Sequence, residues 1–225
     1  MTLVLDLLLQ GGVFLIPILI ASLVGATLFI ERLLYLRRET ILGPELIERV
    51  PALIEAGDRA SLRALCSNIH TPLGRVLTRG LERRRATGAE MRAAMEDTGR
   101  RELYLMKRFT GALGSIATIS PLLGLLGTVV GMISMFQGVV ASAAANRGAA
   151  DIGALADGIW QALLTTAAGL LVAIPIYLAH RYVLGRIDGM IYEIEGFGRE
   201  LIDAFASDAE DADGAEDGGL PELAS

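Results

Sequence analysis

Three stretches of the chain carry no Asp, Glu, Lys or Arg: residues 7–30, 109–146 and 158–180, which are 24, 38 and 23 residues long. A hydrocarbon core about 30 Å thick takes roughly 20 helical residues at about 1.5 Å each, so each stretch is long enough to cross a bilayer. The segments between them are amphipathic. Residues 44–71 predict short helices broken at Pro51, Gly57 and Pro72. Beyond them, Leu73, Val76, Leu77 and Leu81 fall at helical spacing. After an interruption at Gly88, Met91, Ala94, Met95, Leu103 and Met106 lead into the second apolar stretch with no breaker. That pattern predicts one helix running through the second span and well below it. Beyond the third stretch, Val183, Ile187, Met190, Ile194, Phe197, Leu201 and Ala204 form a 4–3 seam. It predicts packing onto the chain's own helices or between copies of the chain. Gly185, Gly189 and Gly196 within that segment weaken an isolated helix but permit close helix approach.

The expected fold is therefore all-α and integral to a membrane, with three transmembrane helices and long cytoplasmic helical extensions. Residues 1–36 hold a periplasmic segment and the first span, 37–108 a cytoplasmic helical segment, and 109–180 a hairpin of the second and third spans. Residues 181–206 form a C-terminal cytoplasmic helix, and 207–225 an acidic tail without periodicity that reads as disordered.

Charge sets the orientation. Of the 20 Lys and Arg, 16 lie between residues 31 and 108, three follow the third span, and only Arg147 lies between the second and third spans. The positive-inside rule places the N-terminus outside and the C-terminus in the cytoplasm, with a short outer loop at residues 141–157. Asp6 precedes the first span where a signal peptide carries basic residues, so that span reads as an uncleaved anchor. Arg32, Arg37, Arg38, Lys107 and Arg108 read as topology determinants that touch anionic lipid. The net charge of −6 arises in the tail, while the segment beside the membrane is basic.

The chemistry is sparse. The one lysine, Lys107, follows Leu-Tyr-Leu-Met rather than a glycine loop, which excludes a Walker-type nucleotide site. One cysteine (Cys66) and two distant histidines (His70 and His180) offer no metal-ligand spacing. The chain is expected to be no enzyme, to need no cofactor or metal and to bind no nucleic acid. What stands out lies in the hairpin. Ser120, Gly124, Gly127, Thr128, Gly131 and Ser134 make a small, polar stripe along the second span, with Gly127-x-x-x-Gly131 permitting close helix approach. Pro121 is a bend point. In the third span Gln161 and Thr165 share one face, while Ala162, Thr166, Gly169 and Ala173 define another, with Pro175 a second bend point. Each Thr taken singly reads as a back-bond to its own helix, and each Gly as a packing contact. Together, hydroxyls at comparable depth on facing spans look like a polar lining.

At these residues the chain resembles the MotA/TolQ/ExbB proton-channel family, most closely its ExbB branch. Residues 119–132 (ISPLLGLLGTVVGM) resemble the family's second-span signature and 158–175 (GIWQALLTTAAGLLVAIP) its third, and ERLLYLRR at 31–38 fits the ExbB pattern. The resemblance implies a ring of copies, a homopentamer, enclosing helices of an ExbD/TolR-type single-span partner that supplies an intramembrane aspartate. It implies an inner-membrane motor in which proton motive force energises a TonB- or TolA-type effector. TonB-dependent transport across the outer membrane is the leading expectation. A TolQ-like envelope role, a motility or secretion motor, and a non-conducting scaffold are alternatives. By position, Thr128 and Thr166 match the pore threonines, with Thr165 and Ser120 beside them. Many members carry Glu where this chain has Gln161, which cannot titrate. Gln161 is therefore expected to be a neutral lining residue, and the partner to bring the sole carboxylate.

Overall fold

The computed structural model describes residues 13–82, 86–145 and 152–216, with the backbone alone for 143–145, 152, 154 and 207–216. The first part of the first apolar stretch, the middle of the outer loop and the end of the tail lie outside the described residues. Among those described, every regular element is helical. These are α1 (Leu15–Tyr35), α2 (Arg38–Ile41), α3 (Pro44–Glu55), α4 (Arg59–Asn68), α5 (Pro72–Leu81), α6 (Gly88–Met106), α7 (Thr110–Ala145) and α8 (Ile152–Glu216). The chain divides into two compact units, one formed by Met1–Leu33 with Phe109–Val183 and the other by Leu34–Arg108 with Leu184–Ser225.

The first unit is the membrane unit. Helix α1 and the spans Thr110–Ser142 and Leu155–Ala206 are long and apolar enough to cross a bilayer. Their outward positions are bulky and apolar, with Leu23 71%, Leu122 57% and Leu171 75% exposed. Such surfaces persist only against lipid or other helices. Leu113, Ala117 and Ile176 form a core against which Leu28, Phe29, Ile116 and Val172 pack. The predicted all-α fold with three spans is thus observed.

The second unit is a bundle in which α4, α5 and α6 start on side-chain caps. Asp58 accepts from the Ser61 N–H (3.0 Å) and Thr71 from the Gly74 N–H (3.1 Å), while Thr87 and Glu90 close a reciprocal capping box. The seam of α8 does pack onto the chain's own helices. Ile187, Met190, Ile194 and Leu201 are buried, and a methyl group added at Gly198 would meet Met95 at 2.9 Å. Arg186 Nε donates to the Leu36 carbonyl (2.6 Å) and Arg38 pairs with Glu193 (2.6 Å), which ties the segment that follows α1 to α8. Glu102, nearly fully buried, receives both prongs of Arg75 at 2.7 Å.

Three expectations are corrected. The second span does not continue the helix below it: α6 ends at Met106, the Lys107 N–H caps it onto Leu103 and Leu105, and Phe109 adopts φ 65° before α7 begins. The Arg32 guanidinium, itself buried beside Glu31, sits 5.4 Å from the centre of the Phe109 ring. Pro51 does not break α3, which runs through it, whereas Gly57 at φ 65° does end a helix and Pro72 opens one. Gly185, Gly189 and Gly196 meet nothing within 4 Å in this chain, so their missing side chains serve no close approach within it. Helix α8 continues to Glu216, ten residues into the tail expected to be disordered.

Candidate functional site

Helices α7 and α8 meet along a line where one partner is usually glycine. A methyl group placed on Gly131 would lie 3.3 Å from Ala162 Cβ, and one on Gly124 2.9 Å from the Thr165 carbonyl oxygen. One on Gly169 would lie 2.7 Å from the Ser120 carbonyl oxygen. Backbone therefore packs on backbone here, as small-residue seams in membranes do. Gly124, Gly127, Gly131 and Gly169 all sit in this seam, as the sequence pattern suggests. Pro121 and Pro175 lie within unbroken helices.

The hydroxyls divide into two groups. Ser120 is fully buried and donates to its own helix at Ile116 O (2.7 Å). Thr165 is 3% exposed, donates to Ala162 O (2.8 Å), and lies 3.5 Å from Gly124 O. Thr128 and Thr166 are only half-buried, at the edge of the seam. Thr128 donates back to Leu125 O (2.7 Å), and Thr166 reaches across to Gly124 O (3.1 Å).

Helical geometry says which edge each residue occupies. At about 100° per residue, Gln161 and Thr166 are about 140° apart and flank the buried stripe of α8 on opposite sides. On α7, Thr128 is about 100° round from Gly127. The Gly127 edge is covered by the turn that opens α1, since a methyl group there would meet Phe14 Cβ at 3.4 Å. Ile116 on the same edge faces Gly25. In an antiparallel pair, rotations of equal sign fall on the same side of the contact. Thr128 and Thr166 thus share the side away from α1, and Gln161 lies on the side of α1. The pairings along the seam put the two threonines within about two residues of the same depth, roughly 3 Å.

The site therefore has two half-buried hydroxyls at similar depth, on a side that α1 leaves uncovered, in stretches free of charge. Each hydroxyl both donates and accepts, so each can hydrogen-bond a carboxylate or a carboxylic acid. Among the described residues no cluster of His, Cys, Asp and Glu could hold a metal ion. A cavity of about 990 Å³ lies in the second unit, and its Arg75 and Arg79 are already met by Glu102 and Glu82. The functional group that residue patterns could not reveal is the Gly124 carbonyl, because a backbone acceptor leaves no signature beyond the absent side chain that exposes it.

Comparison with known proteins gives a consistent picture. A protein of Synechocystis sp. that bears the name biopolymer transport protein ExbB-like 3 is 33% identical over 168 residues, covering 75% of this chain and 79% of the relative. An ExbB homologue of Methanothermobacter thermautotrophicus is 31% identical over 193 residues, covering 85% and 67%. Biopolymer transport protein exbB1 of Vibrio cholerae is 58% identical over a shorter run of 60 residues, covering 27% and 25%. Residues 68–196 match the MotA/TolQ/ExbB proton channel family, a range that takes in α7, the uncovered threonines and most of α8. This membrane protein belongs to the MotA/TolQ/ExbB proton channel family.

Proposed function

We propose that this chain is the stator and proton-channel subunit of an ExbB–ExbD-type motor in a bacterial inner membrane. Several copies, five by the family resemblance, enclose a single-span partner that carries an aspartate within the membrane. Proton motive force moves protons on and off that carboxyl group, and the resulting motion energises a TonB-type effector for transport across the outer membrane. The basic residues between 31 and 108 support an orientation with the N-terminus periplasmic and the C-terminus cytoplasmic.

What supports this proposal is that Thr128 and Thr166 stand half-buried, within about 3 Å of the same depth, on the side away from α1. A carboxyl group cycling between charged and neutral forms in a dry span needs partners that serve both forms. Hydroxyls do so, and fixed charges do not. The stretches 7–30, 109–146 and 158–180 hold no Asp or Glu, so the carboxyl group comes from another chain. Gln161, on the α1 side, acts as a neutral hydrogen-bonding residue rather than a proton relay.

The test is purification of the native complex through a tag on this chain, followed by native mass spectrometry. Several copies with at least one single-span chain bearing an intramembrane Asp are expected. A lone monomer, or a ring of copies with no such chain, would contradict the proposal. The latter result would favour a non-conducting scaffold.

A further inference from the structure

Two adjacent threonines converge on one carbonyl oxygen, and they are not equivalent. Thr166 is half-buried and donates to Gly124 O across 3.1 Å. Thr165 is sealed in the seam, donating to Ala162 O at 2.8 Å with Gly124 O at 3.5 Å. A methyl group on Gly127 would lie 2.7 Å from Thr165 Oγ1, so that hydroxyl has no route out of the seam. A carbonyl oxygen has two lone pairs, and inside a helix one serves the backbone ladder. The second can take one hydroxyl at a time.

We propose that Thr165 is a positioning residue that stands in for Thr166 at the Gly124 carbonyl. The idea rests on the proton-pathway reading above. A hydroxyl has a single proton to donate, so Thr166 must leave Gly124 O when it donates to a carboxylate entering from the uncovered side. That departure would remove the side-chain hydrogen bond holding α8 to α7 at this level. Thr165 needs only to swing its proton from Ala162 O to Gly124 O and close a few tenths of an ångström. It gives up a back-bond within its own helix and keeps the bond between the helices. The seam holds its register while Thr166 turns to the carboxyl group and returns.

The test is proton flux into liposomes, read with a trapped pH-sensitive dye, for the complex purified from its own membranes through a tag on this chain. Thr165→Val keeps the side-chain shape and loses the hydroxyl, whereas Thr165→Ser keeps the hydroxyl and loses the methyl group. The expected result is a fall of about tenfold or more for Thr165→Val, with the complex intact by size-exclusion chromatography, and flux within about twofold of the parent for Thr165→Ser. A purely packing role predicts the opposite order. Parent-like flux in Thr165→Val overturns the proposal, as does equal damage from both variants. So does failure of Thr165→Val to assemble while Thr165→Ser assembles, because the hydroxyl would then be a structural tie. Thr166→Val separates the two levels. Unchanged flux there removes the underlying pathway, whereas flux lost in Thr166→Val and kept in Thr165→Val removes only the role given to Thr165.

Discussion

The Thr166 hydroxyl donates to the Gly124 carbonyl oxygen across 3.1 Å, from α8 to α7, and it reaches that oxygen because residue 124 has no side chain. The same closeness governs Gly169, where a methyl group would sit 2.7 Å from the Ser120 carbonyl oxygen. Backbone cannot move aside as a flexible side chain does. Gly169→Ala should therefore pry the hairpin apart and destabilise the protein by about 1–3 kcal/mol. Gly185→Ala, with nothing within 4 Å in this chain, should be neutral or stabilise by up to about 1 kcal/mol. Thermal unfolding of the two purified variants checks this, and equal midpoints would contradict the seam.

Gln161 lies about 140° round α8 from Thr166, on the side of α1. A carboxyl group placed there would sit apart from the hydroxyl pair. Gln161→Glu should leave proton flux within about twofold of the parent. A large gain would mean that the position calls for a titratable group and that the partner does not supply the sole carboxyl.

In the second unit, Arg75 grips Glu102 with both prongs, and that carboxylate is nearly fully buried. The Glu102 carboxylate in turn pushes the Arg75 pKa up. Arg75→Leu strands the carboxylate and should cost about 2–4 kcal/mol, the lower part of the usual range because Arg75 is itself partly exposed. Adding Glu102→Leu should recover much of the loss. Thermal unfolding of the single and double variants reads out the coupling. A double variant less stable than Arg75→Leu would contradict it.

Cys66 is buried in α4, and burial pushes its thiol up to about 11 from the usual 9. The neutral thiol is thus favoured by folding. This contribution is fully present below the unfolded value and is lost as pH rises through about 11. At pH 8 the folded protein should react with a maleimide far more slowly than the same protein in denaturant. Comparable rates would mean that α4 is open.

Much of the membrane unit was legible in the sequence. Runs free of charge mark spans by length alone, and 109–146 matches α7 to within about one residue at each end. The glycines of the seam were legible too, because a small residue every three or four positions has few other uses in a membrane helix. The break before α7 was not, since Lys107, Arg108 and Phe109 carry no Gly or Pro and the turn rests on a non-glycine residue at φ 65°. Pro51 misled in the other direction, because α3 runs through the proline with Leu46 and Val50 buried. Among the hydroxyls, residue type says nothing about which are sealed and which stand at an edge. Thr165 and Thr166 differ only by about 100° of rotation, and where that rotation points depends on the placement of α1 and α7.

The most direct measurement is proton flux through the reconstituted complex with both edge threonines changed, Thr128→Val together with Thr166→Val. Valine preserves the shape of each side chain and removes only the hydroxyl. The complex should assemble with its usual copies and partner, and flux should drop to the background of empty liposomes. An intact complex that still conducts protons at the parent rate would contradict the claim that these two hydroxyls form the proton path.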